Sequence, residues 1–453
     1  RVGQNARYTF NATAGQNLSV LWSGATFAGN YSELRVYKPD GSSLGSASFS
    51  SSGSYASGVL DLPNVPATGV YTVFVDPYRA STGQVSAQLL ADAPGALAVD
   101  GAALPVSLSS GQNGRYSFSG TLGQNLGFGV SGLTTTPSGG AVTVTVYAPD
   151  NVTVVKSCGS FTATNGGGNC NLPPLPSTGT YTVQVNPSGT YAATLTLTLS
   201  SDVAGALDPN GAANLFSTAR VGQNARYTFN ATAGQNLSVL WSGATFVGNS
   251  SDLRVYKPDG SSLGSASFSS SSSASGVLDL PNVPATGVYT VFIDPFRAST
   301  GQASVQLLAD APGMLAVDGA SLPVSLSSGQ NGRYSFDGTL GQNLGLGISG
   351  LSTSPSGGSV AVTVYAPDNI TVLMSCGSYT ATGGDCNLPP LPSTGTYTVQ
   401  VNPSGTYVAT LTLTLSSDVA GTLTPNDAAN LFSTSRVGQN ARYTFNATAG
   451  QNL

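Results

Sequence analysis

The sequence predicts an all-β protein made of tandem antiparallel β-sandwich or jelly-roll domains, and three observations support this fold class. Charged residues make up only 8% of the 453 residues, against roughly 25% in an ordinary soluble protein, so long helices would lack the Glu, Lys and Arg of their exposed faces. Short runs of β-branched and aromatic residues are bounded by Gly and Pro, as strands usually are. The chain also contains a long internal duplication, so each strand prediction recurs along it.

The duplication has two levels. RVGQNARYTFNATAGQNL occurs three times, and its copies begin at Arg1, Arg220 and Arg436. Each long repeat also splits into related halves, because ARYTFNATAGQNLSVLW (6–22) parallels GRYSFSGTLGQNLGFGV (114–130). We call these halves the A unit and the B unit. The sequence therefore predicts an A-B-A-B array of five segments: 1–94 (A1, without its first strand), 95–204 (B1), 205–312 (A2), 313–420 (B2) and 421–453 (the opening strands of a third A unit).

Strands within a unit follow from alternating apolar and polar residues. In A1 this alternation predicts strands over 7–10 and 17–22. A third strand enters a hairpin whose turn is Pro39-Asp40-Gly41, since Pro presets φ and Gly accepts a positive φ. Residues 68–75 and 85–90 predict two further strands. About eight short strands per unit favour a two-sheet sandwich or jelly roll.

The four cysteines form two close pairs, Cys158 with Cys170 and Cys376 with Cys386. Each pair flanks a Gly-rich loop, which favours a disulfide; free buried thiols and a zinc site are the alternatives. Zinc sites usually need four ligands at CxxC-type spacing, and the chain has no histidine. A disulfide closing a loop of this size contributes about 3 kcal/mol. Because disulfides persist in oxidising compartments, we expect an extracellular or cell-surface protein.

The ordered motifs GQNxRYxFxxxxGQNLxVxW, VYxPDGxxL and LPxxPxTGxYTVxVxP, seen in A1 over 3–77, resemble the bacterial pre-peptidase C-terminal domain family. The resemblance extends over all four units and the final segment. It implies a small β-sandwich that occurs in secreted bacterial and archaeal proteins, often beside a peptidase, without catalytic residues of its own. This chain departs from the family pattern in its near-identical tandem copies and in the cysteines of its B units.

No catalytic constellation is apparent in the sequence. The absence of histidine removes the Ser-His-Asp and Cys-His arrangements, so we expect neither an enzyme nor a cofactor. Asp40, Asp76 and Asp100 could line a calcium site, but turn formation is the favoured role of these residues. Trp22 and Trp241 could stack on a sugar, although their spacing favours burial in a core.

The repeat register at 421–435 admits two interpretations. The favoured one treats the chain as a window cut from a longer repetitive polymer. In the alternative, this segment completes the first A unit of a neighbouring chain by strand addition, with Leu423, Leu431 and Phe432 as candidate donor residues.

These patterns together favour a structural segment of an extracellular bacterial or archaeal fibre, sheath or stalk. The expected partner is the protein itself, through end-to-end continuation and lateral bundling of weakly charged surfaces. A net charge of −5 without a basic patch argues against nucleic acid. The sequence contains no run of about 18 apolar residues, so it predicts no membrane span. The alternative is an adhesin or carbohydrate-binding stalk accessory to a secreted hydrolase, with glycans as the candidate ligand.

Overall fold

The computed structural model describes residues 3–27, 31–247, 251–380 and 382–452, so Arg1, where the first repeat begins, lies outside the described residues. The described residues form 36 β-strands and two single-turn 3-10 helices, Gly53–Tyr55 and Ala163–Asn165, and this part of the chain contains no α-helix. The predicted all-β class is therefore confirmed. The sheets are antiparallel except where a short strand that enters a unit pairs in parallel.

A1 contains two sheets with strand orders β1-β6-β3-β4 and β5-β2-β7. Phe10 of β1 lies opposite Tyr71 of β6, and the two rings stack with centroids 5.5 Å apart. The strands are β1 (Ala6–Ala12), β2 (Leu18–Ser23), β3 (Ser32–Tyr37), β4 (Ser43–Phe49), β5 (Gly58–Leu62), β6 (Gly69–Asp76) and β7 (Ser86–Ala91).

B1 also contains two sheets, with orders β13-β12-β15-β10-β8 and β14-β11-β16-β9. A register shift between Ser131 and Thr134 interrupts the long pairing of β11 with β16. The strands are β8 (Ala93–Ala96), β9 (Leu104–Leu108), β10 (Gly114–Gly120), β11 (Leu126–Thr136), β12 (Ala141–Tyr147), β13 (Val154–Thr162), β14 (Gly168–Asn171), β15 (Gly179–Pro187) and β16 (Ala192–Ser201).

A2 repeats the A1 arrangement and adds two strands at its start. Its sheets have the orders β17-β19-β24-β21-β22 and β18-β25-β20-β23. The strands are β17 (Val203–Ala206), β18 (Asn214–Thr218), β19 (Ala225–Ala231), β20 (Leu237–Ser242), β21 (Ser251–Tyr256), β22 (Ser262–Phe268), β23 (Gly276–Leu280), β24 (Gly287–Asp294) and β25 (Gly301–Ala309).

B2 repeats B1, with sheet orders β26-β28-β33-β30-β31 and β27-β34-β29-β32. Beyond it, two short strands pair in parallel. The strands are β26 (Ala311–Met314), β27 (Leu322–Leu326), β28 (Gly332–Gly338), β29 (Leu344–Ser354), β30 (Val360–Tyr365), β31 (Val372–Tyr379), β32 (Gly384–Asn387), β33 (Gly395–Pro403), β34 (Val408–Ser417), β35 (Val419–Thr422) and β36 (Ala441–Thr444).

A buried tyrosine fixes the turn that precedes the central strand of every unit. In A1 the Tyr71 hydroxyl donates to the carbonyl of Ala67 at 2.7 Å, while the backbone N–H of Ala67 donates to that hydroxyl at 3.2 Å. The ring is fully buried, so the hydrogen bonds replace its lost hydration. The same contact recurs at Tyr181 with Ser177, Tyr289 with Ala285 and Tyr397 with Ser393.

Buried apolar residues form four separate clusters, and each cluster draws its residues from a single unit. The A1 cluster includes Trp22 and Phe49, and the A2 cluster includes their counterparts Trp241 and Phe268. The B1 and B2 clusters contain Cys170 and Cys386 among their aliphatic residues. Among the described residues, no apolar cluster spans two units. Consecutive units are therefore held together by the contacts at the junctions between them.

Candidate functional site: the junctions between units

A single aspartate joins each unit to the next. β7 ends at Ala91 and β8 begins at Ala93, so only Asp92 separates the last strand of A1 from the first strand of B1. The same arrangement recurs at Asp202, Asp310 and Asp418. Each junction lies two residues before the boundary predicted from sequence, because the residue after the aspartate already pairs with the following unit.

An ion pair ties each linking aspartate to the unit that follows. Arg115 Nε lies 3.0 Å from Asp92 Oδ2, and the Asp92 side chain is only 6% exposed. The equivalent pairs are Arg226–Asp202 at 2.6 Å, Arg333–Asp310 at 3.0 Å and Arg442–Asp418 at 2.7 Å. Separating such a pair leaves an uncompensated buried charge, which costs about 3–5 kcal/mol. The pair therefore restrains the chain where it enters a new unit.

The recurring Gly-Gln-Asn sequence binds the backbone of the two residues that flank the linking aspartate. Gln112 Nε2 donates to the carbonyl of Ala91 at 3.1 Å, and the carbonyl of Asn113 accepts from the backbone N–H of Ala93 at 2.8 Å. The other glutamines that reach the preceding unit are Gln223, Gln330 and Gln439, at 3.2, 3.0 and 3.3 Å. Together with the arginine two residues later, this sequence forms the junction motif Gly-Gln-Asn-x-Arg.

At the junction from an A unit to a B unit, one carboxylate of the A unit binds two amides of the B unit. Asp61 on β5 accepts from Asn113 Nδ2 at 2.9 Å and from Asn186 Nδ2 at 3.1 Å. In the second copy, Asp279 accepts from Asn331 at 3.0 Å and from Asn402 at 3.2 Å. Because the amides come from separate parts of the B unit, they oppose rotation of one unit against the other.

At the junction from B1 to A2, the carboxylate comes from the following unit instead. Asp294, at the end of β24, accepts from Asn169 Nδ2 and from Asn171 Nδ2, each at 2.6 Å. Arg220 of A2 reaches in the opposite direction and donates to Ser200 Oγ at 2.7 Å and to the carbonyl of Gly101 at 2.6 Å. The two kinds of junction therefore use different residues.

Glycines permit close backbone approach at the B1–A2 junction. Gly222 has a φ of +81°, and a Cβ on it would lie 2.6 Å from backbone atoms of Phe128. Across the junction β11 carries Gly127 and Gly129, whose added Cβ atoms would overlap the carbonyls of Gly222 and Val221. An A unit has serine and leucine at the two β11 positions. Side chains of that size at Gly127 and Gly129 would overlap Gly222 and Val221.

Burial raises the pKa of several junction carboxyls. For Asp294 the loss of hydration is the largest cause, and it exceeds the opposite effect of the Asn171 and Asn169 hydrogen bonds. Loss of hydration likewise raises the pKa of Asp92 and Asp310 above the ordinary 3.8, against the lowering effect of Arg115 and Arg333. The charged carboxylates are therefore held at some cost to folding at neutral pH.

We expect the melting temperature to rise as the pH falls from neutral through the raised pKa of these carboxyls. Where a folded-state pKa exceeds its unfolded value, the folded state binds more protons, so stability increases as the pH falls through the raised pKa. Thermal scans of the intact chain check this, and Asp294→Asn should show a weaker rise. A melting temperature that falls over this range would contradict the expectation.

The exposed turn aspartates do not interfere with this measurement. Hydrogen bonds from serine or threonine lower their pKa below 3.8, so the stability that they add is lost only at lower pH. These residues are Asp40, Asp150, Asp259 and Asp368. Glu33 differs from these aspartates, because its hydrogen bond with Arg35 lowers its pKa from 4.5, so the stability that it adds begins to be lost at about pH 4.5.

Both predicted disulfides are confirmed. Cys158 bonds to Cys170 and Cys376 bonds to Cys386, with Cα atoms 5.5 and 5.3 Å apart. Cys158 lies on β13 and Cys170 on β14, which are edge strands of the two different sheets of B1. Each disulfide therefore joins the two sheets of its unit, a role that sequence spacing did not reveal.

The structure places both tryptophans in the cores of the A units. Trp22 is 6% exposed and Trp241 is 5% exposed, and each indole packs over a glycine of the paired strand. The Trp241 Nε1–H donates to the carbonyl of Ser273 at 3.1 Å. This burial leaves neither ring face free to stack on a sugar, so the hypothesis of glycan stacking loses its basis.

The candidate calcium residues occupy turns and strand ends. Asp40 accepts from the backbone N–H and the hydroxyl of Ser42, and Asp100 accepts from the N–H of Ser201 at 2.8 Å. Asp76 ends β6. Within 3–27, 31–247, 251–380 and 382–452, no three side chains of His, Cys, Asp or Glu form a group that could hold a metal ion.

Leu423, Leu431 and Phe432 lie between β35 and β36, where they are 39%, 91% and 47% exposed.

In the described residues no helix has the length and apolar character needed to cross a membrane. Neither the linking aspartates nor the contacts of the Gly-Gln-Asn-x-Arg motif were predicted from the sequence. A signal was present, since an aspartate precedes that motif at the start of B1, A2, B2 and the final segment.

A family model, the bacterial pre-peptidase C-terminal domain, matches residues 4–77 and 223–294. These segments contain the equivalent strands β1–β6 of A1 and β19–β24 of A2. Both matched segments are therefore similar to the bacterial pre-peptidase C-terminal domain. The resemblance seen in the motifs is thereby confirmed for the A units, and its extension to the B units stays a prediction. The second matched segment begins at Gln223 and ends at Asp294, so it includes two of the junction residues described above.

No curated protein matches the chain. The CUB1-EGF-CUB2 domains of rat MASP-1 match at 7% identity and a TM-score of 0.16, over 45% of this chain and 99% of that one. Tripeptidyl peptidase 2 matches at 10% identity and a TM-score of 0.17, over 60% of this chain and 29% of that one. The M60 catalytic domain with the CBM51-1 and CBM51-2 domains of Clostridium perfringens ZmpB matches at 8% identity and a TM-score of 0.15. This match covers 91% of this chain and 55% of that one.

Proposed function

We propose that this chain is a non-catalytic structural segment of an extracellular bacterial or archaeal fibre, sheath or stalk. In this proposal it forms an A-B-A-B array of β-sandwich domains in which pre-peptidase C-terminal domains alternate with disulfide-bonded B units. The observation that carries the proposal is the recurrence of one junction: a linking aspartate, 4–8% exposed, paired with an arginine of the next unit.

Separate cores support the array of sandwiches. Each of the four units has its own cluster of buried apolar residues and its own two sheets. Two sheets that enclose one apolar layer are the arrangement of a β-sandwich. Each unit then carries its own stability, and function depends on how consecutive units are joined.

The junctions support the proposal that the array of units is stiff. Domains joined by flexible linkers move relative to each other unless their interface restrains them. Here one residue joins the units, its side chain is held by an ion pair, and Asp61, Asp279 or Asp294 receives two amides across the junction. These contacts oppose both bending and twisting, which a load-bearing segment requires.

The expected location outside the cell is supported by the two disulfides and by the family of the A units. Reducing compartments do not maintain structural disulfides, and this chain has no free cysteine among the described residues. The alternative of a carbohydrate-binding stalk depended on Trp22 and Trp241, whose rings are buried.

Small-angle X-ray scattering and electron microscopy of the isolated chain test this function. We expect a stiff rod of about 35–40 Å per unit, as strand length and end loops suggest. Insertion of Gly-Gly-Ser-Gly after Asp202 should allow the rod to bend at that point and leave the melting temperature of each unit nearly unchanged. The matched control inserts the same residues into the exposed turn after Gly41, which lies within a unit.

Two outcomes would contradict the proposal. One is a wild-type chain that is as flexible as the Asp202 insertion variant. The other is the absence of antibody labelling on filaments outside the source cells, where we expect a repeat of about 70–80 Å for each A-B pair.

A further inference from the structure

A cleft lies at each of the two junctions that run from an A unit to a B unit. Between A1 and B1 its volume is about 610 Å³, which is within the range of ligand-binding pockets. Between A2 and B2 the volume is about 170 Å³ and covers only the polar part of the cleft. Every residue that lines the second cleft has its counterpart in the first, so the same cleft recurs once in each long repeat.

Two asparagines, one from each unit, line the cleft between A1 and B1. Asn64 of A1 and Asn151 of B1 occupy turns with φ of +48° and +57°, a conformation that asparagine tolerates. Asn17 Oδ1 accepts from the backbone N–H of Asn64 at 2.9 Å, and the Thr182 hydroxyl donates to Asn151 Oδ1 at 2.6 Å. In the described part of the chain, the Asn64 side chain and Asn151 Nδ2 have no other partner, so both can bind a ligand.

The arginine of the junction motif also lines the cleft and keeps unused donors. Arg115 is 16% exposed and, within the described residues, its only hydrogen bond runs from Nε to Asp92. Its guanidinium lies 5.7 Å from the ring centroid of Tyr147, which helps to hold its plane in place. Arg333 has the same single bond in the second cleft. Arg220, by contrast, donates through all three of its side-chain nitrogens.

The junction from B1 to A2 lacks both asparagines. In the aligned repeats, Pro174 stands at the position of Asn64, and Gly260 stands at the position of Asn151. The ion pair of the linking aspartate is nevertheless present there, between Arg226 and Asp202. The two amides are therefore not needed to join consecutive units, and their recurrence at both A-to-B junctions indicates a different role.

The charges of the cleft favour a neutral ligand. One guanidinium, that of Arg115, faces the carboxylates of Asp92 and Asp150, so an added anion gains no net attraction. The cleft also offers acceptors beside its donors, because Asp150 is fully exposed. A hydroxyl group both donates and accepts, so a polyhydroxylated ligand matches this set. Pro63 and Val152 add apolar surface, and Val152 is 68% exposed.

We propose that each A-to-B cleft binds one sugar unit of a neutral extracellular polysaccharide. Arg115 and the two asparagines donate to the sugar oxygens, while Asp150 accepts from a hydroxyl group. The bound sugar contacts both units, so it reinforces the junction and attaches the chain to a surrounding matrix. The site does not involve Trp22, which is buried in the A1 core. It goes beyond the proposed function and does not require it.

Isothermal titration calorimetry of the oxidised full chain tests the site. The neutral probes are hexasaccharides of glucose, mannose and galactose, and oligomers of glucuronate are the charged comparison. We expect at least one neutral probe to bind at two sites per chain. The glucuronate oligomers should bind at least tenfold more weakly, because the cleft carries more carboxylates than guanidinium groups.

Glycine substitutions locate the site without removing the turns that form it. Glycine accepts the positive φ, as Gly41 does at +82° at the A1 position equivalent to Asn151. Asn64→Gly with Asn151→Gly should reduce the number of sites from two to one. Adding Asn282→Gly and Asn369→Gly should lower the remaining affinity at least tenfold, while the circular dichroism spectrum stays that of the wild-type chain.

The matched control replaces asparagines that do not line the cleft. Asn11 of β1 and Asn230 of β19 are exposed, and B1 has Ser119 at the same position. Asn11→Ser with Asn230→Ser should therefore leave both sites and their affinity unchanged.

Three results would overturn the site: no binding of any neutral probe, full binding in the variant with four glycines, or equally tight binding of the glucuronate oligomers. Each of these concerns the cleft alone. Rods that remain stiff in the variant with four glycines would keep the proposed function intact whatever the outcome of the titration.

Discussion

Replacing Trp241 with alanine is expected to lower the free energy of unfolding of A2 by about 3–5 kcal/mol. The indole is 5% exposed and belongs to the A2 core cluster, where it lies 6.4 Å from the ring of Phe268. Truncation removes this contact, leaves a cavity and deprives the Ser273 carbonyl of its donor. Hydrogen exchange measured by mass spectrometry on the whole chain follows the loss in β20 and β23, the strands that pair around the indole.

The chain provides its own controls for this substitution. Val247→Ala removes an apolar side chain of A2 that is 73% exposed, so the exchange of β20 should not change. The strands of A1 report any general effect, because Trp22 occupies the same position there. Wild-type protection of A2 in Trp241→Ala would show that the indole does not support the core.

Replacing Cys158 and Cys170 together with alanine is expected to lower the free energy of unfolding of B1 by about 3 kcal/mol, the value for a closed loop of this size. The cysteines are 12 residues apart and join edge strands of the two sheets. Without the bond, the unfolded chain gains conformational freedom and the β13–β14 edge is free to open. Faster hydrogen exchange in β13 and β14 is the expected measurement.

B2 is the matched reference within the same molecule. Its own disulfide, Cys376–Cys386, remains in the double alanine variant, so exchange in β31 and β32 should stay at the wild-type rate. A reducing agent should accelerate exchange in both units of the wild-type chain. Equal protection of B1 and B2 in the variant would contradict the expected role of the bond.

Several features were predictable because they depend on residues close together in the sequence. Alternation over 17–22 placed Trp22 on the apolar face of its strand, and the structure buries it. Two cysteines at a short separation beside a Gly-rich loop favoured a disulfide, which the structure contains. The motifs of the A unit resembled the pre-peptidase C-terminal domain, and the family model matches both copies.

The junctions were not predictable in the same way. In the sequence, Gly-Gln-Asn stood out only as part of a family motif, whereas Gln112 and Asn113 bind the preceding unit. Asp294 and Asn169 are 125 residues apart, so nothing in their local sequence indicates that they meet. The aspartates that link the units lie in short segments without strong periodicity, which left their role hidden.

The sequence by itself determined that this protein is all-β, that its units recur, and where its cysteines and most strands lie. These properties follow from local periodicity, turn residues and self-similarity, which one chain segment carries alone. Only the tertiary structure decided which carboxylates cross between units, which glycines permit backbone contact, and that the disulfides join two sheets. Such contacts depend on how consecutive units pack against each other, and packing brings together residues that lie far apart in the sequence.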